Sequence, residues 1–431
     1  MDKEVKERIE MIDRGEVPKG YKETKVGIIP TDWKCKPLYE IRDKSDHYSF
    51  TGGPFGSDLK SEHYTINGIR IIQLQNIGDG KFLDEYKLYT SEEKADELIA
   101  CNIYPNEIII AKMAEPLARA CIMPSKDKRY LMASDGIRLK VDSRYYDIHY
   151  ILNQINFIKF RKEAIRRGTG TTRLRIGLGE LKKIPLLLPE FEEQKKIGSI
   201  LTQWDKVIEL KEELIIKKQI YKTGVMKELL TGQKRLKGFN KEWKETKLGK
   251  VLKERKETGY EDLELLAITM ANGVCRRDGL DLVDNSSSDK SKYKRILPLD
   301  IGYNTMRMWQ GVSGVSSELE GLVSPAYTVL KPTDKVDSYF MGYLFKLPKV
   351  VDTFRRYSQG LVSDTLNLKY ENFKGIKLTI PTDVKEQKAI AEILKLQDKE
   401  IELLKKEVAL LKEQKKGLMQ LLLTGKVRVK C

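Results

Sequence analysis

The stretch Glu386-Gln387-Lys388-Ala389-Ile390-Ala391-Glu392-Ile393-Leu394 has a forerunner 193 residues earlier, Glu193-Gln194-Lys195-Lys196-Ile197-Gly198-Ser199-Ile200-Leu201. At the same separation Leu422-Leu423-Thr424-Gly425 repeats Leu229-Leu230-Thr231-Gly232, with no gap between the two motifs. Between them Asp205/Asp398, Lys206/Lys399, Ile208/Ile401, Glu209/Glu402, Leu210/Leu403, Gly224/Gly417 and Met226/Met419 also match. Solenoid arrays repeat every ~20–50 residues. This period is far longer, so the chain is two large related halves.

The repeated block reads as a long helix in both copies. In steps of seven, Ile390, Gln397, Leu404, Leu411 and Leu418 alternate with Leu394, Ile401, Val408, Lys415 and Leu422, a heptad seam with two polar members. The earlier copy gives Ile197, Trp204, Lys211, Lys218 and Val225 against Leu201, Ile208, Ile215, Lys222 and Leu229, more polar but in the same register, with Lys222 and Lys415 coinciding. Each helix buries its seam most readily on the other, which predicts an antiparallel coiled coil; helices of about 38 residues would be about 57 Å long.

Outward from the helices, Pro189 and Pro381 follow the apolar runs Ile184-Pro185-Leu186-Leu187-Leu188 and Ile376-Lys377-Leu378-Thr379-Ile380, each read as the last strand of a globular module. Asp383 with Glu386 three residues on has the form of a capping box. The modules open alike, with Asp32-Trp33-Lys34 and Leu38 answered by Glu242-Trp243-Lys244 and Leu248. The connector Lys237-Gly238-Phe239 resembles Lys19-Gly20-Tyr21, as in a cyclic pseudo-repeat opened at one point, so the termini should lie close together. The expected organisation is an N-terminal segment 1–30 packing near the C-terminus, module 31–188, long helix 189–236, module 237–380 and long helix 381–431. Short strands (Ile69 to Leu74, Ile108 to Ala111, Ile137 to Val141, Leu265 to Ile268, Tyr327 to Leu330) and a helical stretch near each module's end (about 147 to 167 and 338 to 357) make each module mixed α/β. The fold class is α+β: two such modules separated by two long antiparallel helices in a pseudo-two-fold cyclic arrangement.

Composition narrows the partners. The 431 residues carry 79 Lys+Arg against 63 Asp+Glu, a formal charge of +16 that favours a polyanion, nucleic acid first. With 40% hydrophobic residues the chain can build cores. Cys35, Cys101, Cys121, Cys275 and Cys431 lie far apart with three histidines to join them, so no structural zinc site is readable. A charged start and the lack of any run near the ~18 apolar residues of a membrane span point to a cytoplasmic protein.

Most catalytic signatures are missing. Gly80-Lys81 and Gly425-Lys426 lack the rest of a phosphate loop. Gly168-Thr169-Gly170-Thr171-Thr172 follows a helix and lacks the third glycine of a dinucleotide turn. No Asn-Pro-Pro-aromatic stretch exists to hold a flipped adenine, and His47, His63 and His149 all fall in the first module. Glu386-x-Lys388 after Asp383 resembles a nuclease carboxylate-lysine set, but capping and solvation of a helical first turn explain it better. The chain is therefore expected to be non-catalytic.

Binding chemistry remains. Arg161, Lys162, Arg166, Arg167, Arg173 and Arg175 surround a Gly/Thr loop, with Thr169 and Thr171, suited to phosphate oxygens; Arg355, Arg356 and Gln359 form the matching segment. Gln73, Gln75 and Asn76 could address adenine edges, and Lys112 and Arg119 guanine. In the second module Asn272, Arg276, Arg307, Trp309 and Gln310 take these parts.

Two variable modules, each ending in an apolar strand, Pro, Glu-Gln-Lys-x-Ile-x-x-Ile-Leu and a long helix closing with Leu-Leu-Thr-Gly, resemble the specificity subunit of type I restriction-modification systems. Thr51-Gly52-Gly53-Pro54-Phe55-Gly56-Ser57-Asp58-Leu59-Lys60 also resembles the opening of many target-recognition domains of that family. The resemblance implies double-stranded DNA as ligand, each module reading half of a bipartite asymmetric site, and helices that set half-site spacing and dock two modification (methyltransferase) subunits. It implies no cofactor in this chain: S-adenosylmethionine belongs to the modification subunits, ATP and Mg to the restriction (endonuclease/translocase) subunits. Nothing in the second module repeats Pro54-Phe55-Gly56-Ser57, so different half-sites are expected. The competing reading is a coiled-coil scaffold whose two modules bind proteins.

Overall fold

The computed structural model describes residues 3–429 apart from 114, 171, 172, 271, 279–288, 363 and 364. It divides into two compact units, Met1–Lys211 with Glu407–Cys431, and Glu212–Lys406, so each long helix contributes to both.

The unit carrying the first module is built on a four-stranded antiparallel sheet in the order Ala120–Ile122, Ile108–Ala111, Gly136–Leu139, Phe50–Gly52. A second sheet runs Tyr64–Thr65, Leu88–Thr90, Ile69–Ile72, Tyr130–Met132, Asn102–Ile103, with a parallel pair at Ile69–Ile72 and Tyr130–Met132. The run Ile108-Ile109-Ile110-Ala111 is apolar throughout because both its faces are covered. Ile108 and Ile110 enter the main core with Trp33, Leu38 and Tyr150, while Ile109 and Ala111 enter a smaller core with Ile72, Tyr130 and Met132.

The second module repeats this frame. Its four-stranded sheet has the order Ser313–Val315, Ile301–Asn304, Tyr327–Pro332, Leu252–Arg255. Leu266–Thr269 pairs with Gly273–Arg276, Lys294–Ile296 pairs with Gly321–Val323, and a parallel bridge from Leu265 to Leu322 links these ribbons. Gly302 stands where the first module has Ile109. A Cβ there would lie 2.3 Å from Ile268 Cδ1, so a side chain at this position would have to displace the Ile268 side chain that packs over it.

In each unit an antiparallel ribbon joins the module's first strand to its last, Lys34–Pro37 with Pro185–Leu188 and Trp243–Lys247 with Lys377–Pro381. The last strand feeds a long helix, Phe191–Leu230 in one case and Val384–Leu422 in the other. The helical stretches near the module ends are each two helices, not one. Ile148–Asn156 breaks before Ile158–Arg167 at the extended, buried Phe157, and Ser338–Leu344 breaks before Pro348–Tyr357, where Leu347 is held extended ahead of a proline.

Every seam position named above is buried or half-buried. The lysines of the seam are matched by acids on the opposing helix, whereas the buried Gln397 Oε1 accepts no hydrogen bond from the described residues. In the first unit Lys415 meets Asp205 at 2.5 Å and Lys211 meets Glu407 at 2.9 Å. In the second, Lys222 meets Asp398 at 2.5 Å and Lys218 meets Glu400 at 2.6 Å. Asp205/Asp398 and Lys222/Lys415 are repeat equivalents, so one ion pair is made twice in antiparallel sense. This confirms the antiparallel coiled coil.

The Glu-Gln-Lys motif is a joint. Glu386, fully buried, accepts two hydrogen bonds from Arg235, Nε to Oε1 at 2.6 Å and Nη2 to Oε2 at 2.8 Å. Glu193 does the same with Arg428, both at 2.8 Å, and Arg235 and Arg428 are again 193 residues apart. The adjacent glutamines reach into the modules. Gln194 accepts from the backbone N–H of Asp147, and Gln387 from that of Asp337, each Asp being the N-cap of a module helix. Two expectations change here. Asp383 begins the helix, but the Glu386 carboxylate turns to Arg235 instead of back to the cap, and neither glutamate is solvated, because a guanidinium fork outcompetes a lone backbone N–H. Residues near the two ends of the chain are bonded to each other: Arg8 donates to the Lys426 carbonyl at 3.2 Å, Tyr21 to that of Gly425 at 2.7 Å, and Lys426 pairs with Asp13.

Candidate nucleic-acid interface

Gln73, Gln75 and Asn76 sit at the turn after Ile69–Ile72, and Asn272 and Arg276 on the hairpin formed by Leu266–Thr269 and Gly273–Arg276, whereas others of the residues singled out in each module lie on or beside two neighbouring loops. The first is the connection between the two strands that open the four-stranded sheet order, 112–119 in one module and 305–312 in the other. Ala118 at φ 59° and Gly311 at φ 86° mark the same left-handed position, so Lys112, Arg119, Arg307, Trp309 and Gln310 lie in equivalent loops. The second loop follows the helix ending at Arg167 or Tyr357. It is closed by one antiparallel bridge, Thr169 to Arg175 or Gln359 to Asn367. The two loops are tied together by a backbone bond from Ile176 to the Lys112 carbonyl at 2.9 Å, or from Leu368 to the Thr305 carbonyl at 2.8 Å.

In the first module Arg166 is exposed and bonds Glu163, whereas Arg167 is mostly covered, between Glu163 and Glu180. Thr169 and Arg173 are exposed, and Thr171 lies outside the described residues. The Lys112 ammonium donates to the Ser134 carbonyl at 2.9 Å; burial, followed by the nearby Arg175 charge, pushes its pKa below the usual lysine value. Arg119 is engaged with the carbonyls of Leu74 and Glu115, which holds backbone and leaves little for a guanine edge. Gln73 is half-buried and Gln75 exposed. Asn76 is fully buried: its amide donates to the carbonyls of Leu83 and Tyr86 and accepts from the Gln73 N–H. It shapes a turn and cannot address a base.

In the second module Asn272, Arg276, Arg307, Gln310, Arg355, Arg356 and Gln359 are exposed. Arg276 pairs with Glu264 at 2.7 Å and Arg356 with Asp352 at 3.3 Å. Trp309 is half-buried, its indole N–H bonded to the Met306 carbonyl at 3.0 Å. The arginine pairs are offset by one residue from the alignment Arg166-Arg167 with Arg355-Arg356. The buried helix residues Ala164 and Phe354 and the helix ends Arg167 and Tyr357 set the register, so Arg166 corresponds to Arg356.

A sequence model of the type I restriction modification DNA specificity domain matches residues 30–219 and 321–413, well over half of the chain. The chain belongs to that family. This specificity protein is 25% identical to a putative type I restriction enzyme MjaX specificity subunit of Methanocaldococcus jannaschii, over 95% of this chain and 97% of the relative. Two solved chains share its fold. One, from a structural account of complex assembly and conformational transition in a type I restriction-modification system, superposes with a TM-score of 0.57 at 12% identity, covering 93% of this chain and 99% of the other. The other, a type I restriction-modification S subunit from M. genitalium, gives 0.51 at 16% identity, covering 93% and 96%.

Several residues important to the specificity protein escape a reading by residue type. Asn156 donates to and accepts from the backbone of Ala120, at 3.0 Å both ways, and so pins the start of the first sheet's edge strand, where the 112–119 loop ends. The same place is taken in the second module by Lys346, whose ammonium donates to the carbonyls of Gly311 and Ser313 at 2.8 and 2.7 Å, and whose pKa burial lowers to about 8. Exposed apolar loop residues, Phe55 (83% exposed) and Leu361 among them, carry no periodic signal. Among the described residues no helix is long and apolar enough to cross a membrane.

Proposed function

We propose that this chain is the reader of a type I restriction-modification complex, performing no covalent chemistry itself. Each module reads one half of a bipartite, asymmetric double-stranded DNA site in the cytoplasm, and the long helices set the half-site spacing. The observation that carries this reading is one loop frame built twice with different side chains: the frame supports a common docking mode, and the differing tips support two different half-sites. S-adenosylmethionine then belongs to two modification subunits, and ATP with Mg to the restriction subunits.

The helices also support the docking role. Leu210 and its repeat equivalent Leu403 lie outside the seam and are exposed, and Leu396, Leu403 and Leu410 form an exposed stripe at seven-residue steps. Helices of a modification subunit are the occupant such a stripe fits.

The test is methylome mapping of a host carrying the cognate modification subunit, with and without this chain. A methylated motif of two half-sites separated by a fixed spacer, dependent on this chain, is expected. Methylation that is indifferent to it would overturn the proposal.

A further inference from the structure

The two reading loops share their frame down to individual bonds. In both, the chain leaves the helix in extended conformation, closes one bridge with N–H to carbonyl distances of 2.8 to 2.9 Å, and buries the next apolar residue, Ile176 or Leu368. Both turn at a glycine of positive φ, Gly170 at 107° and Gly360 at 154°, where a Cβ would lie 2.6 Å from the carbonyl oxygen of Arg173 or Thr365. The turn is thus fixed in both modules, and the residues after the glycine are what differ.

In the second module those residues are Leu361 and Val362. Leu361 is completely exposed and Val362 60% exposed, a contiguous apolar tip in water. Arg355 and Arg356, both exposed, line the same cleft with them, as does Asp352, which pairs with Arg356 and leaves the rim with a net positive charge. Exposed Met306 sits on the adjoining loop tied in by the Leu368–Thr305 bond. An apolar centre rimmed by arginines is complementary to duplex DNA: the cations meet phosphates, and the apolar tip enters a groove, where thymine methyl groups and base steps offer apolar surface. A protein partner would need an acidic rim around an apolar socket.

We infer that Leu361 and Val362 contact base pairs of the second half-site, giving that half-site an affinity component that does not depend on salt. This rests on the DNA-reading function proposed above and deepens it. Phosphate contacts release counterions and set the slope of log affinity against log salt, whereas an apolar contact changes the affinity at every salt concentration alike.

The experiment uses the full chain assembled with its modification subunit and a duplex bearing the motif methylated in the host. The double variant Leu361→Ser/Val362→Ser changes side chains that the frame does not use. Its affinity should fall on the order of ten-fold with an unchanged salt slope, and the methylated motif should become degenerate in one half-site only. Arg355→Ala/Arg356→Ala should instead flatten the slope. Unchanged affinity and motif in the Leu361/Val362 variant would overturn the inference, as would loss of complex assembly with DNA affinity retained, which would make the tip a protein contact. If the unaltered chain directs no methylated motif, the fault lies with the proposed function and not with the tip.

Discussion

Removing the arginine from each joint should have unequal consequences, because the two buried glutamates are not equally supported. Glu386 is fully buried, and both its oxygens depend on Arg235, whose side chain is 32% exposed. Glu193 keeps two further donors if Arg428 is lost, Trp33 Nε1 at 3.3 Å and the Val429 N–H at 3.2 Å. Stranding one member of a buried ion pair costs ~3–5 kcal/mol. Water can enter where a partly exposed guanidinium has left, so Arg235→Ala should cost about 2–3 kcal/mol. Arg428→Ala should cost about 1–2 kcal/mol, since hydrogen bonds to a charge contribute ~1.5–3 kcal/mol each and the two that remain are long. Urea unfolding gives the totals, and hydrogen exchange of the first-turn amides, residues 386–392 against 193–199, locates them. Adding Glu386→Gln to Arg235→Ala removes the stranded charge and should recover much of the loss. An Arg428→Ala cost equal to or above that of Arg235→Ala, or no recovery in the double variant, would refute the reasoning.

Arg166→Ala and Arg173→Ala should each lower the salt slope of DNA binding by about one, measured by titration at several salt concentrations. Arg167→Ala should leave the slope alone, since Arg167 is engaged with Glu163 and Glu180. Deleting residues 212–218 together with 400–406 removes one heptad from each helix. At 1.5 Å per residue this shortens the spacing by about 10 Å, about three base pairs, and an unaltered spacer in the methylated motif would count against the helices as a ruler. The hydrogen bond from Lys126 and the Arg70 guanidinium hold the Asp84 carboxyl at about 2, below its ordinary value of 3.8. Its contribution to stability is therefore present above the ordinary value and lost as pH falls through about 2. Asp84→Asn should flatten the acid limb of the stability profile between pH 4 and pH 2.

The long helices and their register were legible because a seam repeating every seven residues is a one-dimensional signal, and the repeat supplied its partner. The strand, proline and helix succession was legible for the same local reason. Local pattern did not reveal the breaks at Phe157 and Leu347, which serve packing inside a module whose other elements are distant in sequence. It also misassigned Glu386: a carboxylate in a first turn looks solvated until the arginine 151 residues away is placed upon it. A signal did exist, since Arg235 and Arg428 obey the same 193-residue spacing as the glutamates. Asn76 shows the limit for site residues. The amide that suits an adenine edge suits backbone carbonyls equally, and only burial tells them apart.

The joint at Glu193 gathers Arg428 with Asp32 and Trp33, residues from opposite ends of the polypeptide, yet it matches the one at Glu386, through which the chain runs without interruption. Hydrogen bonds at the first do what covalent continuity accompanies at the second. A half-length ancestor carrying one aspartate, one lysine, one glutamate and one arginine of these sets could make every such contact with a second copy of itself, as an isologous dimer does. Duplication and fusion of such an ancestor would add no new bond to the scaffold, and would leave the two loop tips free to differ.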